Sequence, residues 1–221
     1  MDIRSWKFHQ YWKDIHFFHF QVDSAFLENQ IPEGLTLDTY NGQAYLTYIW
    51  FRMEGLRHKG IPAIPIYSTF YQFNCRTYVY ANGERGVYLF KALVSKKWIP
   101  FLAGYVSSSP FSFGSFEPMS NAGRVIGKDG FDFEFSVEKG GSEALSTPLN
   151  SWLLDRYSLF EEKNGQISKL NLHHAPWTFR SVNTKELSFQ DPFLKGQSLS
   201  FSLGHACTEM EVWLQSRVLI Q

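Results

Sequence analysis

Apolar and polar residues alternate along several stretches of the chain, and this period of two is typical of β-strands. The clearest stretch is residues 70–80, where Phe, Cys, Thr and Val at the odd positions 73–79 alternate with Asn, Arg and two Tyr. Successive side chains of a strand point to opposite faces, so this stretch has two chemically different faces. Similar segments predict strands over residues 11–22, 35–40, 43–53, 70–80, 87–94, 114–119, 122–127, 131–138, 157–162, 166–174, 184–190, 197–204 and 209–219.

Turn residues between these segments predict three hairpins. Asn41-Gly42 would join the strands at 35–40 and 43–53, residues 81–86 those at 70–80 and 87–94, and Asn164-Gly165 those at 157–162 and 166–174. Asn and Gly tolerate the positive φ values of a type I′ turn, whose twist matches that of the flanking strands. Residues 55–65 hold two prolines and two glycines and predict a loop.

Three helices are expected between the strands. Asp23 and Ser24 can cap a short helix that reaches about residue 30, and Thr147-Pro148 begins another that runs to about residue 156. A third helix is predicted within residues 96–108. Many short strands separated by turns favour a barrel or a sandwich, capped by the few helices. No linker or repeat divides the sequence, so residues 1–221 are expected to form one domain.

Composition supports a mainly β domain and excludes several function classes. Aromatic residues make up 18% of the chain, and they favour strands. The 21 basic residues balance the 21 acidic ones, so no basic field for nucleic acid is present. No signal peptide and no apolar stretch of membrane-spanning length is visible. We therefore expect a cytoplasmic protein with no nucleic-acid or membrane partner.

Gln72, Asn74 and Arg76 are two residues apart along one predicted strand and therefore share a face. Arginine carries a permanent charge and a fork of donors that suits a carboxylate or a phosphate. If this face points into a barrel, the three side chains form a polar row in its interior. Alternatively the face is solvated, and the apolar side of the strand forms the core.

Histidines provide the candidates for acid–base chemistry. His173 and His174 are adjacent and so point to opposite faces of a strand, and Trp177 follows shortly after them. His16 and His19 are also on opposite sides of their strand. A buried His19 or His174 could be a general base, although a structural hydrogen-bonding role is more common. No spacing typical of a metal site exists, and we expect no metal and no cofactor.

Signals for a nucleophile or a phosphate loop are weak. No Gly-x-Ser-x-Gly elbow is present, and residues 83–86 belong to a hairpin turn. Lys96 and Lys97 form a like-charged pair, which can lower the pKa of one amine and activate it. A solvated surface pair is the simpler interpretation.

Eight segments together resemble the YqjF-like family of uncharacterised bacterial proteins, which is grouped with the acetoacetate decarboxylase-like fold. The match extends from about residue 11 to about residue 178. The segments that carry the resemblance are residues 17–20, 31–38, 41–45, 51–53, 74–79, 86–90, 155–157 and 173–177.

The resemblance implies a cone-shaped, largely antiparallel β barrel with an interior cavity. It favours the interpretation in which the Arg76 face lines that cavity. The decarboxylase forms a Schiff base through a lysine, but here Phe111 or Ser112 occupies the corresponding place in the turn Ser109-Pro110-Phe111-Ser112. Gln72 also stands where the decarboxylase has a glutamate. Schiff-base decarboxylation is therefore not expected.

Two function hypotheses remain. In the first, the cavity binds a small organic molecule containing a carboxylate or a carbonyl group. Arg76 would fix a carboxylate, Gln72, Asn74 and His19 or His174 would contribute polar contacts, and Trp177 would close the mouth.

The alternative is a non-Schiff-base enzyme, a hydrolase, lyase or isomerase acting on a small carbonyl compound. His19 or His174 would be its general acid–base, and Arg76 would stabilise developing charge. A third possibility is that side chains fill the pocket and the aromatic surface supports a homo-oligomer.

Overall fold

The computed structural model describes residues 5–138, 143 and 146–220, and the chain folds mainly into strands. The strands are β1 (Phe8–Val22), β2 (Thr36–Leu37), β3 (Ala44–His58), β4 (Phe70–Ala81), β5 (Glu84–Val94), β6 (Phe111–Phe113), β7 (Ser115–Met119), β8 (Ala122–Ile126), β9 (Asp132–Val137), β10 (Ser158–Lys163), β11 (Gln166–His174), β12 (Arg180–Ser181), β13 (Thr184–Gln190), β14 (Ser200–Leu214) and β15 (Val218–Leu219). Four short helices accompany them: α1 (Ser24–Glu28), α2 (Pro65–Ser68), α3 (Ile99–Ala103) and α4 (Pro148–Leu154). The predicted mainly β class is confirmed.

Seven strands form a ring in the order β14, β1, β3, β4, β5, β10 and β11, which closes where β11 pairs with β14. Every pairing in the ring is antiparallel except the short parallel pairing of β5 with β10, at Leu159–Val87 and Phe160–Tyr88. Gly86 allows this approach, because a Cβ atom there would lie 2.5 Å from the carbonyl oxygen of Ser158. A residue larger than glycine at position 86 would therefore push β5 and β10 apart.

A separate four-stranded sheet, in the order β13, β9, β8 and β7, packs against one outer side of the ring. Phe18, Tyr48 and Phe73 of the ring meet Phe133 and Phe135 of this sheet in a fully buried aromatic layer. A second apolar cluster lies on the opposite face of the ring strands and includes Phe17, Ile49 and Leu154. Because the ring strands are buried on both faces, their sequences carry long apolar runs.

An ion pair reinforces the contact between ring and sheet. Lys91 Nζ of β5 lies 2.7 Å from Asp191 Oδ1, and Tyr48 donates a hydrogen bond of 2.9 Å to the other carboxylate oxygen. The side chain of Asp191 is fully buried. Lys91 also lies 3.8 Å from the centre of the Phe131 ring.

The predicted hairpins at residues 70–94 and 157–174 are confirmed, and their Asn-Gly pairs adopt positive φ values. The prediction that residues 35–53 form a hairpin is wrong about which strands pair. Asn41-Gly42 does form a tight turn between Tyr40 and Gln43, but β2 pairs with β4 instead of β3. The segment before the turn contains β2, which pairs with β4. The residues of the turn do not indicate that β4 is its partner.

Other differences concern the ends of elements. The predicted loop at 55–65 begins later, because β3 continues to His58 alongside β1. The two strands predicted at 197–204 and 209–219 are mostly one strand, β14. The helix predicted within 96–108 is only α3. No helix among the described residues is long and apolar enough to cross a membrane.

The single-domain prediction covers residues 1–221. Residues 1–4, 139–142, 144, 145 and 221 lie outside the described part of the chain.

Candidate functional site

A cavity of about 390 Å³ lies inside the strand ring. Most of its wall is apolar and comes from β1, β3, β4, β5, β10, β11, the segment from α3 to β6, and the end of β14. The polar and charged side chains that line it are Gln10, Gln72, Asn74, Arg76, Ser107, Arg156 and His174.

Strand β4 contributes the polar row predicted from the sequence. Gln72, Asn74 and Arg76 all line the cavity, and the amide nitrogen of Gln72 donates to Asn74 Oδ1 at 2.9 Å. Phe73 and Cys75, on the other face of β4, pack beneath the four-stranded sheet. The alternatives for this polar face were a row inside a barrel or a solvated surface, and in the structure the three side chains are buried and face the cavity. The apolar side of the strand is core as well, because β4 is covered on both faces.

Arg76 is buried without an acidic partner. Its Nη2 donates to the carbonyl oxygen of Leu153 at 3.2 Å, and its Nε has no hydrogen-bond partner. The guanidinium carbon lies 5.7 Å and 5.6 Å from the ring centres of Phe17 and Tyr78. Among the described residues, no carboxylate lies within 4.0 Å of this group. A buried charge of this kind is costly unless something compensates it.

Arg156 brings a second guanidinium to the cavity wall. Its Nε donates to the carbonyl oxygen of Trp152 at 2.7 Å, and Nη1 donates to Asp38 Oδ2 at 2.7 Å. Its Nη2 is buried without a partner. Burial and the nearby charge of Arg76 lower the pKa of Arg156, while Asp38 opposes the change. Asp38 itself is not part of the cavity wall.

His174 lies in the same cavity as Arg76. Its Nδ1 is 2.7 Å from the carbonyl oxygen of Ala175, which can only accept, so Nδ1 carries the proton and Nε2 is free to accept one. Burial lowers the pKa of His174, so the ring is neutral near pH 7. Its ring centre lies 4.7 Å from that of Tyr157 and 4.8 Å from that of Trp177.

Trp177 forms part of the cavity wall and is fixed by its indole nitrogen, which donates to the carbonyl oxygen of Leu154 at 2.9 Å. Its ring meets Phe17 edge to face at 5.3 Å. A side chain held on both sides in this way supplies a rigid apolar surface.

His19 is buried but does not line the cavity. Its Nδ1 lies 2.9 Å from Thr47 Oγ1, which is 2.7 Å from the hydroxyl of Tyr78. Its Nε2 lies 3.1 Å from His205 Nδ1. Burial lowers the pKa of His19 well below its usual range and that of His205 to about 4. Of the six predicted site residues, the five others line the cavity and His19 does not.

Sequence reasoning missed Arg156, Gln10 and Ser107 as residues of the cavity wall. The only sequence signal for Arg156 was its place in one of the segments behind the family resemblance, at residues 155–157.

The cavity wall contains no lysine and no carboxylate among the described residues. Phe111 lies on the wall, in the region where the resemblance places the decarboxylase lysine, and Lys96 and Lys97 do not line the cavity. The adjacent segment is held by the buried carboxylate of Glu161, which accepts hydrogen bonds from Ser107 and from the backbone and side chain of Ser109. The described residues therefore offer no lysine amine on the cavity wall for a Schiff base.

No group of three or more His, Cys, Asp or Glu side chains in the described residues could hold a metal ion. Cys75 and Cys207 are buried free thiols.

Solved structures of similar fold are acetoacetate decarboxylase-like proteins. Acetoacetate decarboxylase from Legionella pneumophila matches with a TM-score of 0.71 at 10% identity, covering 97% of this chain and 87% of that one. An acetoacetate decarboxylase-like enzyme from Sphingomonas wittichii RW1 matches with a TM-score of 0.67 at 11% identity, covering 100% and 95%.

The enduracididine biosynthesis enzyme MppR, in a complex with pyruvate, matches with a TM-score of 0.68 at 12% identity, covering 97% of this chain and 90% of that one. At these identities the likeness establishes the fold alone. It confirms the predicted acetoacetate decarboxylase-like architecture.

The sequence itself is 29% identical over 195 residues to the uncharacterized protein YqjF of Bacillus subtilis (strain 168), covering 81% of this chain and 78% of that protein. A family model described as an uncharacterized conserved protein matches residues 9–210, which confirms the resemblance drawn from the sequence. With nearly its whole length matched, the chain belongs to the DUF2071 family of uncharacterized conserved proteins.

Proposed function

We propose that the protein binds a small organic anion with an apolar body, most simply a carboxylate, inside the strand ring. One observation carries the proposal: in the described part of the chain the wall holds two guanidinium groups and no carboxylate, while most of the remaining wall is apolar. A ligand anion would compensate the buried charge that the protein leaves uncompensated at Arg76. The cavity volume of about 390 Å³ is within the range of small-molecule sites.

Each polar wall residue has a role in this proposal. Arg76 binds the carboxylate of the ligand through its fork of donors, a geometry that arginine offers and lysine does not. The amides of Gln72 and Asn74 adjoin it along β4 and can bind a further oxygen atom. Trp177 and the aliphatic wall contact the apolar body of the ligand. The pyruvate complex of MppR supports a carboxylate ligand because it places a small carboxylic acid in a protein of the same fold.

A titration with matched ligands tests the proposal. Trp12, Trp98 and Trp177 line the cavity, so ligand binding should change the tryptophan fluorescence. We expect carboxylates such as pyruvate, phenylpyruvate and octanoate to bind, with affinity rising as the apolar body grows. The corresponding neutral amides should bind at least tenfold more weakly, because they lose a charge-assisted hydrogen bond. Equal affinity for acids and amides would contradict the proposal.

The variant Arg76→Met keeps an apolar stem of similar length and removes the charge. It should weaken carboxylate binding by about 10-fold to 100-fold, equivalent to roughly 1.5–3 kcal/mol. Arg124→Met is the matched control, because Arg124 pairs with Asp132 on the four-stranded sheet and does not line the cavity. Circular dichroism should show both variants folded. Unchanged binding by Arg76→Met would remove Arg76 from the site.

The second candidate function is catalysis on a small carbonyl compound without a Schiff base. The observation that favours it is His174, which shares the cavity with Arg76 and presents an unprotonated Nε2 when neutral. Such a group can move a proton at a carbon next to a carbonyl whose developing charge Arg76 stabilises.

Proton NMR of 2-oxo acids incubated in deuterated water tests this second function. Exchange of the protons on carbon 3 should be accelerated by the wild-type protein and lost in His174→Asn, while carboxylate binding is retained. Binding without any exchange or product would leave the protein as a binding protein only.

A further inference from the structure

A group of exposed apolar side chains lies on and around α2 and α3, where two of its members also line the cavity. We call it the entrance surface and define it by Ile61, Ile64, Ile66, Tyr67, Phe101, Leu102, Tyr105 and Val106. Phe101 and Tyr105 are 68% and 74% exposed, which is unusual for side chains of this size. Tyr67 contacts Trp98 edge to face with ring centres 5.9 Å apart, so α2 and α3 lie side by side.

The entrance surface is continuous with the interior of the ring. Leu102 and Val106 are about half exposed and also line the cavity. A ligand that enters or leaves between α3 and the ring would therefore pass over this surface.

The two chain segments that carry the entrance surface have an excess of positive charge. Residues 55–69 and 95–116 contain Arg57, Lys59, Lys96 and Lys97 but no aspartate or glutamate. The guanidinium carbon of Arg57 lies 5.4 Å, and the ammonium of Lys59 lies 5.8 Å, from the ring centre of Trp6. This local excess of positive charge exists although the net charge of the whole chain is zero.

The acidic groups close to this region are held by contacts within the protein. Glu54 pairs with Arg52, the buried carboxylate of Glu161 accepts hydrogen bonds from Ser107 and Ser109, and Glu162 accepts one from the backbone of Gly165. Exposed aromatic and aliphatic side chains flanked by basic residues are the combination that binds the interface of an anionic bilayer. Tryptophan and tyrosine also favour the level of the lipid headgroups.

We propose that the entrance surface docks on an anionic lipid bilayer, with Phe101 and Tyr105 inserted among the headgroups and the lysines beside them contacting lipid phosphates. This orientation places the cavity mouth at the membrane. The sequence led to the expectation of no membrane partner because no segment is long enough to span a bilayer, but peripheral docking requires no such segment. Docking of this surface does not depend on which ligand the cavity binds.

Vesicle sedimentation with the full chain tests the docking surface. The wild-type protein should bind vesicles made of equal parts of phosphatidylcholine and phosphatidylglycerol, and bind vesicles of phosphatidylcholine alone at least tenfold more weakly. Raising the salt concentration should weaken binding, because exposed charges are screened. Equal binding to both vesicle types, or no binding to the anionic ones, would overturn the proposal.

Two double variants separate the apolar contribution from the charged one. Lys96→Gln with Lys97→Gln should weaken binding by roughly 25-fold, from about fivefold for each basic residue near an anionic surface. Phe101→Ser with Tyr105→Ser should weaken it by at least about tenfold. The matched control is Met119→Ser, because Met119 is also an exposed apolar side chain but lies on β7 of the other sheet. A control that weakens binding as much as the paired variants would contradict the assignment.

Analytical ultracentrifugation tests the main alternative occupant of this surface, which is a second copy of the chain. The protein should sediment as a species whose mass does not depend on Phe101 and Tyr105. A dimer that Phe101→Ser with Tyr105→Ser dissociates would show that the surface is an interface between copies, and would overturn the membrane assignment.

Discussion

At the scale of single residues, burial sets the charge states around the cavity. Histidine loses its charge when buried, and His19, His174 and His205 all have lowered pKa values with burial as the largest cause. Arginine keeps its charge under the same conditions, because its unperturbed pKa is far above 7. The site therefore combines fixed positive charges at Arg76 and Arg156 with a neutral imidazole.

The buried pair His19 and His205 predicts a loss of stability in acid. Both rings are neutral in the folded protein, whereas in the unfolded chain they bind protons near pH 6.5. As the pH falls below about 6.5, the unfolded state takes up protons first, so the free energy of unfolding decreases until the folded pKa is reached. For His205, whose folded pKa is about 4, the loss over this window amounts to about 3 kcal/mol.

Urea denaturation at several pH values between about 7 and 4.5 measures this effect. The double variant His19→Leu with His205→Phe should be less stable at neutral pH but show a shallower decline towards acid. Some decline will remain because His174 is also buried. His58→Gln is the control, since His58 is exposed, and its curve should parallel that of the wild type. If the stability of the double variant declines with pH in parallel with that of the wild type, His19 and His205 do not take up protons when the protein unfolds.

At the scale of elements, the parallel contact between β5 and β10 is the short link that helps close the ring. Substituting Gly86 by Ala would place a methyl group 2.5 Å from the Ser158 carbonyl oxygen and 2.6 Å from the Phe160 ring. We expect Gly86→Ala to lower the free energy of unfolding by about 1–3 kcal/mol, the usual cost of overpacking a core.

Gly104→Ala is the matched control for this variant. Gly104 has a helical φ of −59°, and a Cβ atom there would have its nearest neighbour at 3.5 Å. Its effect should stay within about 0.5 kcal/mol in the same denaturation experiment. If Gly86→Ala and Gly104→Ala change the free energy of unfolding equally, β5 and β10 can move apart without a loss of stability.

At the scale of the whole molecule, the four-stranded sheet is fastened to the ring by the aromatic layer and by the Lys91–Asp191 ion pair. Asp191→Ala removes the only carboxylate within 4.0 Å of Lys91 among the described residues. It should lower the free energy of unfolding by about 3–5 kcal/mol, because a largely buried ammonium loses its counter-charge. Thermal and urea unfolding would measure the loss.

Asp132→Ala provides the comparison for an exposed pair. Asp132 and Arg124 form an ion pair on the same sheet, but each side chain is about one third exposed. The expected loss is below about 1 kcal/mol, because solvent screens the interaction. If both aspartate variants lose the same amount, the burial of Asp191 does not contribute to the attachment of the sheet.

The strands and most of the polar row could be predicted from the sequence, because they depend on local physics. Alternation along β4 places Gln72, Asn74 and Arg76 on one face whatever the strand pairs with, and the Asn-Gly turns at 82–83 and 164–165 specify positive φ. The resemblance to a known family added the architecture, which residue patterns alone had left open between a barrel and a sandwich.

Only the tertiary structure decided which distant residues meet. His19 and His205 are separated by 186 positions, and Arg156 and Asp38 by 118, so no local period relates them. Strand β2 pairs with β4 and not with β3, its neighbour in sequence. The choice of partner depends on which faces are buried in the whole sheet, which the turn residues do not specify. For the same reason the sequence left His19 and His174 as equal candidates: both lie on buried strands, and only the assembled structure shows that His174 lines the cavity and His19 does not.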